Sequence, residues 1–353
     1  MSATVALVAS TTSDEGAPLL VARLRHLLDA GWDAWLFCKG GRWRDEPALR
    51  DPGLVERVAI APDAKRDSSP FDDRLKALCP DLVHFHSGSF ALKGLQNGQL
   101  PEARIVIRFR ADGQDLAVSN LELLWRRANR LLFPDPLALE RALARGCPPA
   151  RAAVMQPPVE PGTDADRPYR PSATLRILSA GPLVWQQGFE HSIHAVRLLL
   201  DMGVQCEYRI VGDGDHVQAV AFARHQLGLG EQVQLISPDG DGHLPEELHS
   251  ADVFVDPAVA DTTPLTALAA AQAHGVPFVA TVRSTPLSDE AGITVARRDP
   301  QAIAAALARL ASDAALRERM ERAGPLVTGI TRSDHLEELE RVYTAALAEG
   351  ARP

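Results

Sequence analysis

The stretch ILSAGPLVWQQGFEHSIHAV, Ile177 to Val196, combines a strand, a turn and a helix. Ile177 to Ala180 are apolar or small on both faces, Gly181 and Gly188 bracket a corner with no basic residue in it, and Phe189, Ile193 and Val196 recur at helical spacing. A strand without polar alternation is one buried on both faces, as in a parallel sheet covered by helices. The same alternation extends in both directions. TVALVA, DAWLFC, DLVHFH, RIVIRF, RLLFP and AAVMQ come before it, and EYRIVG, QVQLI, DVFVDP and PFVAT after it, with amphipathic helical stretches between. The expected class is therefore α/β, with doubly wound parallel sheets.

One segment breaks the pattern. QPPVEPGTDADRPYRPS, Gln156 to Ser172, holds five prolines and admits neither a continuous helix nor a central strand. The alternation restarts beyond it, so we expect a Rossmann-like domain over 1–156, a linker over 157–173, a second Rossmann-like domain over 174–330, and a packing helix and tail over 331–353. In that last helix Leu336, Leu339, Val342, Tyr343, Ala346 and Leu347 share a face, with Ser333 as cap and Gly350 as stop. Sheets of this kind bind ligands at the carboxyl ends of their strands, which places the expected site in a cleft faced by two such edges.

Composition narrows the function. A net charge of −9 over 353 residues argues against a nucleic-acid partner. No run approaches the roughly 18 apolar residues of a membrane span, and the amino terminus lacks a basic flank with an apolar stretch, so a cytoplasmic protein is expected. LELLWRRANRLLF, Leu121 to Phe133, could suit a membrane surface, but a buried-face helix leading into a strand is the favoured reading; membrane association is weak at most. Cys38, Cys79, Cys147 and Cys206 are scattered and read as small core residues. His84 and His86 share a strand face at a spacing some metal sites use, but no third ligand accompanies them, so no metal is expected. Every lysine lies at or before Lys93, which leaves arginine as the only strong cation of the second half.

Three segments in order, LSAGPLVWQQGFEHSIHAVRLLLDMGVQCEYRIVGDGDHVQAVAFARHQLGLGEQVQLI, LPEELHSADVFVDPAVADTTPLTALAAAQAHGVPFVAT and DPQAIAAALARLASDAALRERM, resemble the donor-binding domain of GT-B glycosyltransferases of the retaining GT4 type. The first half is similar more loosely, through PDLVHFHSG, VIRFRADGQDL and RALARGCPPARAAVMQPPV. The resemblance implies a GT-B architecture of two Rossmann-like domains facing a cleft, acceptor-side first and donor-side second. It implies a hexosyl transfer from a nucleotide sugar, as co-substrate and with no cofactor, to a sugar or glycoconjugate acceptor in cell-surface polysaccharide synthesis.

Residue by residue, the donor motifs are altered. The family carries an arginine after the first-loop glycine and a lysine before the helix-opening glycine; here Gly181 is followed by Pro182, and Gln187 precedes Gly188. A pair of glutamates eight apart becomes Asp261 and Ala269. Thr262, Thr263, Pro264 and Leu265 retain a helix start whose N–H groups suit an anion. Gly212 and Gly214 in VGDGDH form the next strand-to-helix turn, and Gly16 stands where relatives place a glycine loop under the phosphates. Replacement charge is sought in Arg283 and in Arg110, which alternation sets on one face with Arg108 and which falls where relatives often carry a histidine; His86 is the other candidate near the reacting sugar. Charge-assisted bonds contribute roughly 1.5–3 kcal/mol each, so two lost cations weaken donor binding by about two to four powers of ten. The alternative is a disabled GT-B homologue acting as a protein partner of an active glycosyltransferase.

Overall fold

The computed structural model describes residues 3–10, 17–39, 49, 51–61, 69–96, 102–110, 114–159, 174–237, 243–260, 266–281, 290–324 and 330–350. The chain divides into two compact units, Met1–Gln156 with Ser333–Pro353, and Pro157–Arg332.

Unit 1 is built on seven strands: β1 (Thr4–Ser10), β2 (Asp33–Lys39), β3 (Val58–Ala61), β4 (Leu82–Phe85), β5 (Arg104–Arg108), β6 (Arg130–Phe133) and β7 (Ala152–Val154). They pair in parallel in the order β3-β2-β1-β4-β5-β6-β7. Both faces are core. Ala6 and Val8 of β1 join Val83, Ile105 and Phe133 on one, while Val5, Leu7 and Ala9 join Leu36, Val106 and Leu132 on the other. Among the described residues the helices are α1 (Ala17–Asp29), α2 (Ser69–Leu78), α3 (Gly88–Gln96), α4 (Leu121–Arg127) and α5 (Pro136–Leu143). Asp135 caps α5 and Pro136 takes its first position, so a missing proline N–H costs nothing there.

Unit 2 repeats the plan with β8 (Leu175–Ala180), β9 (Cys206–Val211), β10 (Val233–Ile236), β11 (Val253–Asp256), β12 (Phe278–Ala280) and β13 (Gly292–Thr294), in the parallel order β10-β9-β8-β11-β12-β13. Ile177, Ile210 and Val255 face one helix layer; Leu178, Val211 and Phe254 face the other. The layers comprise α6 (Phe189–Asp201), α7 (Val217–Gln226), α8 (His243–Ser250), α9 (Thr266–Ala273), α10 (Pro300–Ser312) and α11 (Ala314–Ala323). The last helix, α12 (Arg332–Leu347), returns to unit 1, where Leu339, Val342, Tyr343 and Ala346 enter the core.

In each unit the strand order reverses once, between β1 and β4 and between β8 and β11. Loops leaving these two strand pairs diverge, and that is where open α/β sheets hold ligands.

Three details differ from the sequence reading, and a fourth bears out its preferred alternative. The edge strands β3 and β13 were not anticipated. Ser333 is inside the first turn of α12, its hydroxyl 3.5 Å from Glu337, and is not the cap. Cys79 is exposed at φ 46°, with its thiol donating to the Lys76 carbonyl, whereas Cys38, Cys147 and Cys206 are buried as expected. In LELLWRRANRLLF, Leu124 and Trp125 face the core and β6 follows, so that apolar face is occupied by protein. No helix among the described residues is long and apolar enough to cross a membrane.

Candidate functional site

The corner after β8 is fixed by close backbone approach. Trp185–Gln187 makes one 3₁₀ turn and Gly188 follows at φ 66°, a left-handed value that costs other residues roughly 1–2 kcal/mol. A Cβ on Gly188 would lie 2.6 Å from the Pro257 carbonyl and 2.7 Å from Val259 Cγ1. The Val259 N–H donates to the Gln186 carbonyl at 2.8 Å, tying the corner to the loop after β11. Gln187 is buried, and its Nε2 donates to Asp256 Oδ1 at 2.8 Å. Trp185 is exposed, and α6 opens at Gly188 with no side-chain cap.

The loop after β9 packs on the same corner. A Cβ on Gly212 would collide with the Gly181 carbonyl, and one on Gly214 with the Leu183 carbonyl. Backbone bonds from Gly181 N–H to Val211, Leu183 N–H to Asp213 and His216 N–H to Leu183, at 2.8–3.0 Å, zip the two loops together. Close packing thus accounts for Gly212 and Gly214. His216 Nε2 meets Glu190 Oε1 at 2.7 Å beside them.

Below the corner lies a buried polar chain. The Tyr208 hydroxyl is 2.7 Å from both the Ser179 and Ser192 hydroxyls, Ser192 donates to the Phe189 carbonyl at 2.8 Å, and Ser179 donates to the Val255 carbonyl. Burial pushes the Tyr208 phenol above its usual range. Burial also raises the Asp256 carboxyl to about 7, against the bonds from the Ala258 N–H and Gln187 that favour its ionised form.

In unit 1 the corresponding edge is crowded with buried cationic and imidazole groups. His86 follows β4 and Arg108 ends β5; with Arg23, His84 and His335 they are at most 2% exposed. Arg23 Nη1 donates to His86 Nδ1 at 3.1 Å, and Arg23 Nη2 to His335 Nε2 at 2.6 Å. The other nitrogen of His335 meets the Gln156 carbonyl at 3.0 Å. His84 stacks on His86 with ring centroids 4.2 Å apart, and its Nδ1 is 2.6 Å from the Tyr343 hydroxyl. Burial first, then the Arg23 and Arg108 guanidiniums, press His335 down to about 2; burial, followed by His86 and Arg23, holds His84 well below the usual imidazole range. These imidazoles are neutral.

Arg110 is buried against Asp115, Nε to Oδ2 3.4 Å, so its ion pair is an interior one. Asp115 also accepts from Ser87 Oγ at 3.0 Å, the Ser89 N–H at 2.9 Å and the Arg110 N–H at 3.0 Å. One carboxylate thereby binds the ends of β4 and β5 to the start of α3. Of the remaining sequence candidates, Gly16, Asp261, Thr262, Thr263, Pro264, Leu265 and Arg283 lie outside the described residues. Asp115, Asp256, Arg23 and Tyr208 were missed. Asp256 carried a signal, being the only charged residue in the otherwise apolar strand VFVD.

Comparison with known proteins bears on this arrangement. Residues 166–327 match the model of the family described as glycosyl transferases group 1. The matched segment contains the β8 corner, the β9 loop and Asp256. WcaL of Salmonella typhimurium, assigned to colanic acid biosynthesis as a glycosyltransferase, is 32% identical over 196 residues, 52% of this chain and 48% of that protein. The amylovoran biosynthesis glycosyltransferase AmsK of Erwinia amylovora is 31% identical, over 52% of this chain and 47% of its own. The chain spans about half the length of the curated relatives it matches. Over nearly its whole length it has the GT-B fold. Anabaena HepE in complex with UDP and glucose superposes with a TM-score of 0.76 at 13% identity, covering 97% of this chain and 99% of that one. A glycosyltransferase from Rickettsia africae gives 0.75 at 14% identity, covering 98% and 99%.

Proposed function

We propose that this chain is a retaining hexosyltransferase of the GT4 type, moving a sugar from a nucleotide-sugar donor to a sugar or glycoconjugate acceptor in cell-surface polysaccharide synthesis. The donor sits at the carboxyl edge of unit 2, where β8 and β11 adjoin. The observation that carries this reading is the group 1 domain match over the segment whose β8, β9 and β11 loops are locked into one surface. The names of the relatives support the polysaccharide assignment, and the UDP of a structural neighbour supports the donor class.

As the bond from the anomeric carbon to the phosphate oxygen breaks, the leaving diphosphate gains negative charge and needs fixed dipoles or cations. The uncapped start of α6 supplies the positive end of a helix, next to a corner that brings no side-chain charge of its own. Asp261 is assigned to the sugar hydroxyls, and Thr262 to Leu265 with Arg283 to the phosphates. His86 and Arg110 order the edge of unit 1. The reaction uses the nucleotide sugar as co-substrate with no cofactor.

Water can act as a slow acceptor, which gives a test without knowing the natural one. Incubation with UDP-glucose, ADP-glucose and GDP-mannose, followed by proton NMR, should release one free sugar with the donor's anomeric configuration. An inverted first product overturns the retaining assignment, and no release from a wider donor panel leaves the chain a partner subunit.

A further inference from the structure

The polar atoms buried between β8 and β11 are short of one hydrogen. Gln187 Nε2 donates to Asp256 Oδ1 at 2.8 Å, yet Gln187 Oε1 and Asp256 Oδ2 are both buried without a partner. An amide oxygen and a carboxylate oxygen are acceptors only, so in the ionised form neither satisfies the other. A single proton on Oδ2 supplies both needs: Oδ2–H donates to Oε1, and the carboxyl and carboxamide groups form a ring of two hydrogen bonds.

The surroundings favour that proton. Besides Gln187 and the Ala258 N–H, the groups around Asp256 among the described residues are the Tyr208 phenol from β9 and the Thr281 hydroxyl and N–H after β12. Neither side chain is charged at neutral pH. His191 of α6, next to Gly188, is held low chiefly by burial. A carboxyl raised to about 7 by burial keeps its proton through much of the neutral range.

We propose that Asp256 is a positioning residue for the donor corner: protonated on Oδ2, it closes a two-bond ring with the Gln187 carboxamide and holds the Trp185–Gly188 turn against β11. Where relatives place a cation, this chain places a neutral lock. Loss of the proton opens the ring and puts a carboxylate beneath the phosphates. The effect on donor binding rests on the function proposed above; the ring does not.

Two measurements on the full chain separate these parts. With carboxyl-¹³C aspartate, the signal that Asp256→Asn removes should titrate near neutrality, and Gln187→Lys, which sets an ammonium against it, should lower its midpoint by about 1–3 units. Calorimetry with UDP-glucose, ADP-glucose and GDP-mannose, whose diphosphates do not themselves titrate there, should show the bound donor about tenfold weaker at pH 8 than at pH 6. Asp256→Asn, which reproduces the shape of the neutral acid, should bind equally at both. A carboxyl already ionised at pH 6, or an Asn variant that keeps the tenfold slope, overturns the proposal. A carboxyl that titrates near neutrality in a chain that binds no nucleotide sugar upholds the ring and sinks the donor assignment.

Discussion

Replacing Asp256 with asparagine should stabilise unit 2, increasingly as pH rises from about 4 to about 7. The folded carboxyl titrates near 7 where an unperturbed aspartate titrates at 3.8. The folded state binds this proton more tightly than the unfolded state does. Below the unfolded value both forms are protonated and there is no penalty; as pH rises toward 7, the unfolded chain ionises and the folded one does not. About three units at 1.36 kcal/mol per unit puts the full penalty on the order of 4 kcal/mol, reached above pH 7. Asparagine carries no such penalty, and its carboxamide matches the Gln187 side chain with two bonds. Hydrogen exchange of peptides from β8 and β11, followed in urea, reads unit 2 separately. Wild type should lose protection steadily from pH 5 to pH 8 while Asp256→Asn stays flat, the curves converging toward acid. Parallel curves, or a variant weaker at both ends, would refute the reasoning.

Other positions give independent outcomes. Unit 1 should respond to pH with the opposite sign: His335 and His84 are buried neutral, so protonation of the unfolded chain below about 6.5 costs stability, and exchange in β1 and β4 should speed up from pH 7 to 5. Tyr343→Phe removes the hydroxyl 2.6 Å from His84 Nδ1 and should cost about 1–3 kcal/mol, measured by urea denaturation. Asp115→Ala leaves Arg110 buried without that partner and should cost about 3–5 kcal/mol, again in unit 1 exchange. Gly188→Ala forces a left-handed alanine onto the Pro257 carbonyl; about 1–3 kcal/mol should be lost from unit 2, together with nucleotide binding in calorimetry.

Periodicity revealed the central strands because parallel strands buried on both faces are unbroken apolar runs, as LRILSA is over Leu175–Ala180. β13 escaped notice for the converse reason. β13 is three residues long, starts at Gly292 and is half-exposed, so it pairs without leaving an apolar run. The corner could be read as a shape from Gly181, Gln187 and Gly188. Its chemistry could not, because Gln187 reads as a lost cation until Asp256, 69 positions later, is found bonded to it. Arg110 likewise looked like a cation for the donor, but it is paired with Asp115 and helps bind strand ends together. Sequence spacing locates the strand tips, whereas the partners that fix each side chain's charge come from distant strands.

The claim that the β8–β11 edge holds a nucleotide diphosphate is tested most directly by hydrogen exchange of the full chain with UDP, ADP and GDP in turn. One of them should slow exchange in residues 181–191, 212–217 and 256–260 and leave the far edge at β10 unchanged. No protection by any of the three, or protection confined to other segments, would contradict it.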